Sequence, residues 1–268
     1  MSFGDIGERG LVLVGCGKMG GAMLRGWLAS GLAPGSVWVI DPYPGDWLGE
    51  TGVHVNAGLP EDPSVVVVAV KPQMMGEALP GLQALTNTLV VSIAAGTRIS
   101  TFEEVLGGST PVVRAMPNTP AAIGRGITAL VGNPEVSDDR MDLAEALLAA
   151  VGQTVRLESE DQMDAVTAVS GSGPAYVFHL IETLAAAGVA EGLPKELAMT
   201  LARATVAGAG ALAEAADEGP DQLRVNVTSP GGTTAAALGV LMDESHGFPA
   251  LLRDAVKAAA HRGRELAE

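Results

Sequence analysis

Two stretches of this chain carry residue types whose spacing could do chemistry. One is Ser229-Pro230-Gly231-Gly232-Thr233-Thr234. As a local pattern it reads as a helix start, with Ser229 as N-cap and Pro230 in the first helical position, where its missing N–H costs nothing. Gly231 and Gly232 do not belong in that pattern, since each costs about 1 kcal/mol relative to Ala inside a helix. They make sense where something must approach the backbone closely. A helix N-terminus cleared of side chains, with Thr233 and Thr234 beside it, is a seat for a small anion such as a carboxylate. The other reading is an ordinary capped helix whose glycines aid packing.

The second stretch is Gly15-Cys16-Gly17-Lys18-Met19-Gly20. It follows the apolar run Leu11-Val12-Leu13-Val14 and leads into a helical pattern through Met23, Leu24 and Trp27. Strand, glycine turn and helix, in that order, form the dinucleotide-binding fingerprint. The next apolar run, Val37 to Ile40, ends in Asp41, about twenty residues beyond Gly20, where an acid would meet a ribose 2′-hydroxyl. A glycine-rich turn that merely packs tightly is the plainer alternative. Cys16 reads as a small buried side chain in that turn, not as a nucleophile.

These sites need elements to hold them. Further strands are expected at 65–70, 89–93 and 112–116, in near-continuous Val, Ile and Ala runs of the kind that parallel strands covered on both faces require. Helical stretches between them give βαβ repeats. Strand candidates at 127–131 and 154–157 flank a helix expected over 138–150. The loops at the strand ends hold Lys71-Pro72, Ala94-Ala95-Gly96 and Pro117-Asn118-Thr119-Pro120, and ligands of open α/β sheets bind at such ends. Beyond residue 160 the strand signal stops. Ser172 and Pro174 open a long helix, and another is expected from Pro194 to about Ala216, apolar or small on nearly every face. A helix apolar all round is buried on all sides. About 110 Ala-rich helical residues cannot readily bury that surface alone, so a homodimer, or an assembly of dimers, is expected. The expected architecture is therefore α/β: an N-terminal Rossmann-type parallel sheet at 1–159, followed by an all-helical domain at 160–268 for dimerisation and substrate binding.

Composition narrows the function. In 268 residues the net charge is −15, and no basic run with interleaved aromatics appears, which argues against nucleic acid. A single cysteine excludes a disulfide framework and a cysteine metal cluster, and His54, His179, His246 and His261 are scattered, so no metal is expected. Residues 1–10 do not read as a secretory signal, and charges interrupt the longest apolar helices, so the expectation is a cytoplasmic protein without membrane partners. There is no G-x-S-x-G elbow. A nicotinamide domain followed by a carboxylate seat points to hydride transfer to a small acid, chemistry that depends on positioning while the cofactor supplies the hydride.

Over nearly its whole length the chain resembles pyrroline-5-carboxylate reductase, the last enzyme of proline synthesis. The most specific pieces are the Ser229–Thr234 stretch and Ser170-Gly-Ser-Gly-Pro-Ala-Tyr176. The glycine turn, Ala69-Val-Lys-Pro72, Ser92-Ile-Ala-Ala-Gly96 and Met116-Pro-Asn-Thr-Pro120 agree in order and spacing. The resemblance implies a dinucleotide, NADH or NADPH, lying over Leu13, Val14, Gly15, Cys16, Gly17 and Lys18, with Met19 and Gly20 completing the turn. It continues over Asn56, over Ala69, Val70, Lys71 and Pro72, and over Ile93, Ala94 and Ala95. It implies that the carboxylate of 1-pyrroline-5-carboxylate sits on backbone N–H groups around Gly231, Gly232, Thr233 and Thr234, helped by the Ser229 hydroxyl. Thr234 matches the family threonine that bonds the ring nitrogen, and Glu160 falls where a substrate-side acid is found. Where some relatives have an acid ahead of the turn, this chain has Val225, so that position is given no ring-nitrogen role. The implied product is L-proline, with Thr234 orienting the ring N–H and water supplying the proton.

Two other functions fit parts of the pattern. A β-hydroxyacid dehydrogenase would need a lysine in the helical domain as acid/base, and Lys195 and Lys257 are poor candidates. A non-catalytic dinucleotide-binding regulator would need no second ligand seat. On cofactor choice, Asp41 suits a ribose hydroxyl and repels a 2′-phosphate, and no Lys or Arg lies between Arg25 and Lys71. NADH is therefore expected to serve at least as well as NADPH.

Overall fold

A computed structural model describes residues 4–266. The elements run α1 (Ile6–Arg9), β1 (Leu11–Val14), α2 (Lys18–Ala29), β2 (Val37–Ile40), β3 (His54–Val55), β4 (Val65–Val68), α3 (Met75–Ala78), β5 (Leu89–Ser92), α4 (Ile99–Leu106), β6 (Val112–Met116), β7 (Gly126–Gly132), α5 (Asp138–Ala149) and β8 (Gly152–Arg156). Helices follow: α6 (Met163–Val166), α7 (Gly173–Ala190), α8 (Lys195–Ala215), α9 (Pro220–Asn226), α10 (Thr233–Leu241) and α11 (Phe248–Leu266).

The eight strands form one sheet in the order β3-β2-β1-β4-β5-β6-β7-β8. All neighbours are parallel except β6 and β7. From β1 the chain builds outward through β2 and β3, then returns to the other side of β1 with β4. The strand order therefore reverses between β1 and β4, the position where open α/β sheets bind ligands. Alternation along the strands explains the all-apolar runs. Leu11 and Leu13 face a core shared with α2 and α5, while Val12 and Val14 face a second core with Phe102, Leu79 and Met163.

Several expectations change in detail. The ladder stops at Val68 and Ser92, before the expected 70 and 93, although Ala69 N–H still donates to Val14 O at 2.7 Å and Ile93 N–H to Val68 O at 3.0 Å. The two-residue β3 carries no apolar run to announce it; His54 instead stacks on Trp38 at 4.5 Å between ring centroids. The helix expected over 138–150 ends at Ala149, and its start is well signalled: Ser137 Oγ accepts the Arg140 N–H, and Asp138 and Asp139 complement the helix dipole.

The chain divides into two compact units, 1–171 with 260–268, and 172–259. The expected boundary at 159/160 thus lies inside the first unit. Residues just past it pack onto the sheet unit: Met163 is buried in its second core, and Gly171 approaches Met116. In the second unit α7 and α8 meet closely at Gly188, where an added Cβ would lie 3.4 Å from the Ala198 Cβ. Its buried apolar cluster consists of Ala185, Ala198 and Ala202, while Phe178, Leu201, Leu212 and Val240 are exposed. No helix among the described residues is long and apolar enough to cross a membrane.

Trp27 ties α2 to α5. It is fully buried, and its indole N–H donates at 2.8 Å to the Leu147 carbonyl, one of the last four of α5 that have no partner within the helix. Trp27→Phe leaves that carbonyl buried without a donor. We expect a loss of about 1–3 kcal/mol in chemical denaturation; wild-type stability would show that the bond contributes nothing.

Candidate functional site

In the first unit, the carboxyl ends of β1, β4 and β5 bring the glycine turn, Ala69–Pro72 and Ile93–Ala95 to one edge of the sheet. Gly15 has φ +91°, and a Cβ there would sit 2.9 Å from the Ala69 backbone, so only glycine lets β1 turn this close to β4. A Cβ on Gly20 would collide with the Gly15 carbonyl. A Cβ on Gly17, by contrast, would meet nothing within 4 Å. The middle glycine, N-cap of α2, thus opens onto free space, which is the cradle that a pyrophosphate at a helix N-terminus needs. The residues present fit a dinucleotide. Leu13, Val14, Ile93 and Ala94 are buried and would offer it backbone; Lys18, Lys71, Pro72 and Ala95 are exposed.

Asp41 follows β2, as the sequence implies, but its carboxylate turns inward. One oxygen accepts the Cys16 N–H at 2.6 Å and the other the Tyr43 N–H at 2.8 Å. Asn56, at φ +51°, holds the Asp41 backbone from both sides: its Oδ1 accepts the Asp41 N–H at 3.0 Å and its Nδ2 donates to the Asp41 carbonyl at 2.8 Å. Burial pushes the Cys16 thiol up to about 11; the Asp41 charge adds to the rise and Arg25 opposes it. Cys16 is therefore a protonated packing residue at neutral pH, as expected.

Sequence reasoning gave no role to two neighbours of this edge, Arg25 and Tyr43. Arg25 lies with its guanidinium 4.5 Å over the Trp47 ring, in the segment after β2. Tyr43, between two prolines, is 88% exposed. Asn118 bridges two segments, accepting the Ile127 N–H at 3.0 Å and donating to the Ser170 carbonyl at 3.2 Å. Arg114 could have been found, because a charge inside Val-Val-Arg-Ala-Met must be paired when the strand is buried. Its partner is Glu160, at 2.7 Å.

In the second unit, the Ser229–Thr234 stretch departs from expectation. The Gly232 N–H donates to the Ser229 carbonyl at 3.0 Å, closing a turn with Pro230 second and Gly231 third, at φ +70°. That is the residue pattern of a type II turn, and a left-handed third residue cannot be helical. The helix α10 therefore starts only at Thr233, with Gly232 as its N-cap; Ser229 is not the cap and Pro230 is not its first residue. A Cβ on Gly232 would displace the Ser229 hydroxyl from its present position. Ser229 Oγ, Thr233 and Thr234 are thus gathered at a helix start without intervening side chains. Val225 is exposed in the helix before the turn.

Residues 160–266 match the family model described as pyrroline-5-carboxylate reductase dimerisation, and residues 10–96 match the one described as NADP oxidoreductase coenzyme F420-dependent. The chain is 40% identical to a pyrroline-5-carboxylate reductase of Pseudomonas aeruginosa, covering 96% of this chain and 97% of that protein. It is 38% identical to the Arabidopsis thaliana enzyme of the same name, over 95% and 94%. Among solved structures, a pyrroline-5-carboxylate reductase from Coxiella burnetii superposes with a TM-score of 0.91 at 36% identity, covering 97% of this chain and 99% of that one. A Plasmodium falciparum pyrroline carboxylate reductase with NADP bound gives 0.84 at 30% identity, over 98% and 99%.

Proposed function

This chain belongs to the pyrroline-5-carboxylate reductase family, and from that premise we propose that it reduces 1-pyrroline-5-carboxylate to L-proline in the cytoplasm, using a nicotinamide dinucleotide. The observation that carries this reading is the Ser229–Thr234 turn, a side-chain-free helix start flanked by three hydroxyl-bearing residues. The backbone N–H groups of Thr233 and Thr234 have no acceptor within the helix and receive the substrate carboxylate, with the Ser229 hydroxyl beside them. Gly231 and Gly232 keep the approach open; the Gly232 N–H itself is taken by Ser229, so it is not a donor to the ligand. Thr234 orients the ring N–H, and water provides the proton.

The dinucleotide is held by Leu13 to Gly20, Asn56, Ala69 to Pro72 and Ile93 to Ala95, and when bound it supplies the hydride. Mutation of Thr234 tests the substrate seat. Thr234→Ala removes one hydrogen bond to a partly charged group, so kcat/KM for the pyrroline is expected to fall roughly ten- to a hundredfold, or about 1.5–3 kcal/mol, with dinucleotide affinity unchanged. Wild-type kinetics in that variant would remove Thr234 from the mechanism.

For cofactor choice we infer that NADH serves at least as well as NADPH. Support comes from the acid at the end of β2 and from Arg25, whose guanidinium is engaged on Trp47. Asp41→Ser should raise the NADPH/NADH ratio of kcat/KM roughly tenfold, or about 1.4 kcal/mol. The ratio is the right measure because damage to the Cys16 turn affects both cofactors alike. A wild-type enzyme tenfold or more better with NADPH would overturn the inference.

We also propose that the protein is a homodimer or an assembly of dimers. The second unit buries three alanines while leaving large apolar side chains of α7, α8 and α10 in solvent. Light scattering should report at least twice the 27.1 kDa chain mass; an active monomer would contradict this.

A further inference from the structure

At 88%, Tyr43 is the most exposed of the large hydrophobic side chains among the described residues. A single exposed side chain of that kind is ordinary in itself. What sets Tyr43 apart is where it stands and how firmly. Pro42 and Pro44 flank it, and a residue before proline is confined to extended backbone. Its N–H donates to Asp41 Oδ1 at 2.8 Å, while Asp41 Oδ2 accepts the Cys16 N–H at 2.6 Å. One carboxylate thus ties the backbone of Tyr43 to the glycine turn at the start of α2. Asn56 in turn holds Asp41 through its N–H and its carbonyl. The other aromatic residue of this segment, Trp47, is already committed. The Arg25 guanidinium lies 4.5 Å over its ring, a Cβ on Gly45 would sit 2.9 Å from its indole, and it packs on the first core. Between β2 and β3 the uncovered ring is therefore that of Tyr43.

We propose that Tyr43 is the surface on which the adenine of the nicotinamide dinucleotide stacks. This rests on the reading that the pyrophosphate lies at the start of α2, over Gly17. From there the adenosine half runs towards the end of β2, and the base lies beyond the ribose, over the residues that follow Asp41. A flat apolar base gains most from a flat partner, and stacking requires the ring alone. Because proline on both sides and the Asp41 carboxylate fix the segment beforehand, little order has to be gained when the base arrives. Adenine is common to NADH and NADPH, so Tyr43 adds affinity without choosing between them. That choice stays with the groups around the ribose 2′ position.

The test is made on the whole protein without substrate. Affinities for NADH and NADPH are measured by fluorescence titration, and for ADP-ribose, which is the adenosine half without nicotinamide, by calorimetry. Tyr43→Ala is expected to weaken all three by about five- to a hundredfold. Tyr43→Phe keeps the ring and should bind all three as wild type does. Both variants change an exposed side chain, so the melting temperature of the free protein should not move. KM for 1-pyrroline-5-carboxylate at saturating dinucleotide should also stay at its wild-type value. Wild-type affinity of Tyr43→Ala for ADP-ribose overturns the proposal while leaving the cofactor site standing. An equal loss in Tyr43→Phe assigns the effect to the hydroxyl and overturns it too. So does a lowered melting temperature joined to a raised KM for the pyrroline, which would make Tyr43 a support of its loop. A wild-type protein that binds no dinucleotide overturns the underlying reading as well.

Discussion

The close approach of β1 to β4 is the constraint on which the rest of this structure depends. Gly15 turns left-handed within contact distance of the Ala69 backbone, and Gly20 lets α2 start directly behind it. A Cβ at either place would push the strand end and the helix apart. With them together, the strand order reverses at this point and the amino end of α2 faces outward over open space. The sheet core then follows from alternation: successive residues of β1 and β4 feed the two cores in turn, so every position of these strands must be apolar.

Around that edge the polar groups are arranged to hold backbone as much as to meet a ligand. Asp41 fastens the glycine turn to the segment after β2, and Asn56 fastens Asp41. Glu160 does the same at the end of the loop after β5. In both cases a carboxylate accepts a loop N–H from a residue far along the chain, Cys16 for Asp41 and Ile99 for Glu160. Charge here buys order in loops that must keep one shape.

Much of this was legible in the residues. The glycine turn, β1, β2, β6 and the two long helices α7 and α8 fall close to where spacing places them, because their signals are local. What failed was set by partners. Nothing in Val-Val-Val-Val-Ala-Val says that the ladder ends at Val68; the bonding of neighbouring strands decides it. The start of α10 was misplaced because Ser-Pro-Gly-Gly serves equally as a cap or as a turn, and only the sign of φ at Gly231 distinguishes them. The position of Asp41 could be counted along the chain, but the inward rotation of its carboxylate depends on the amides of Cys16 and Tyr43. The commitment of Glu160 to Arg114 was signalled only by a charge embedded in a buried strand.

The second unit holds three alanines as its buried apolar cluster, against the two extensive cores of the first. A hydrophobic reward that small cannot offset the conformational entropy of about ninety ordered residues. If the exposed faces of α7, α8 and α10 are covered by a second copy, folding of this part becomes a bimolecular event. Its stability then follows mass action, so that dilution alone acts as a denaturant while the sheet unit remains intact.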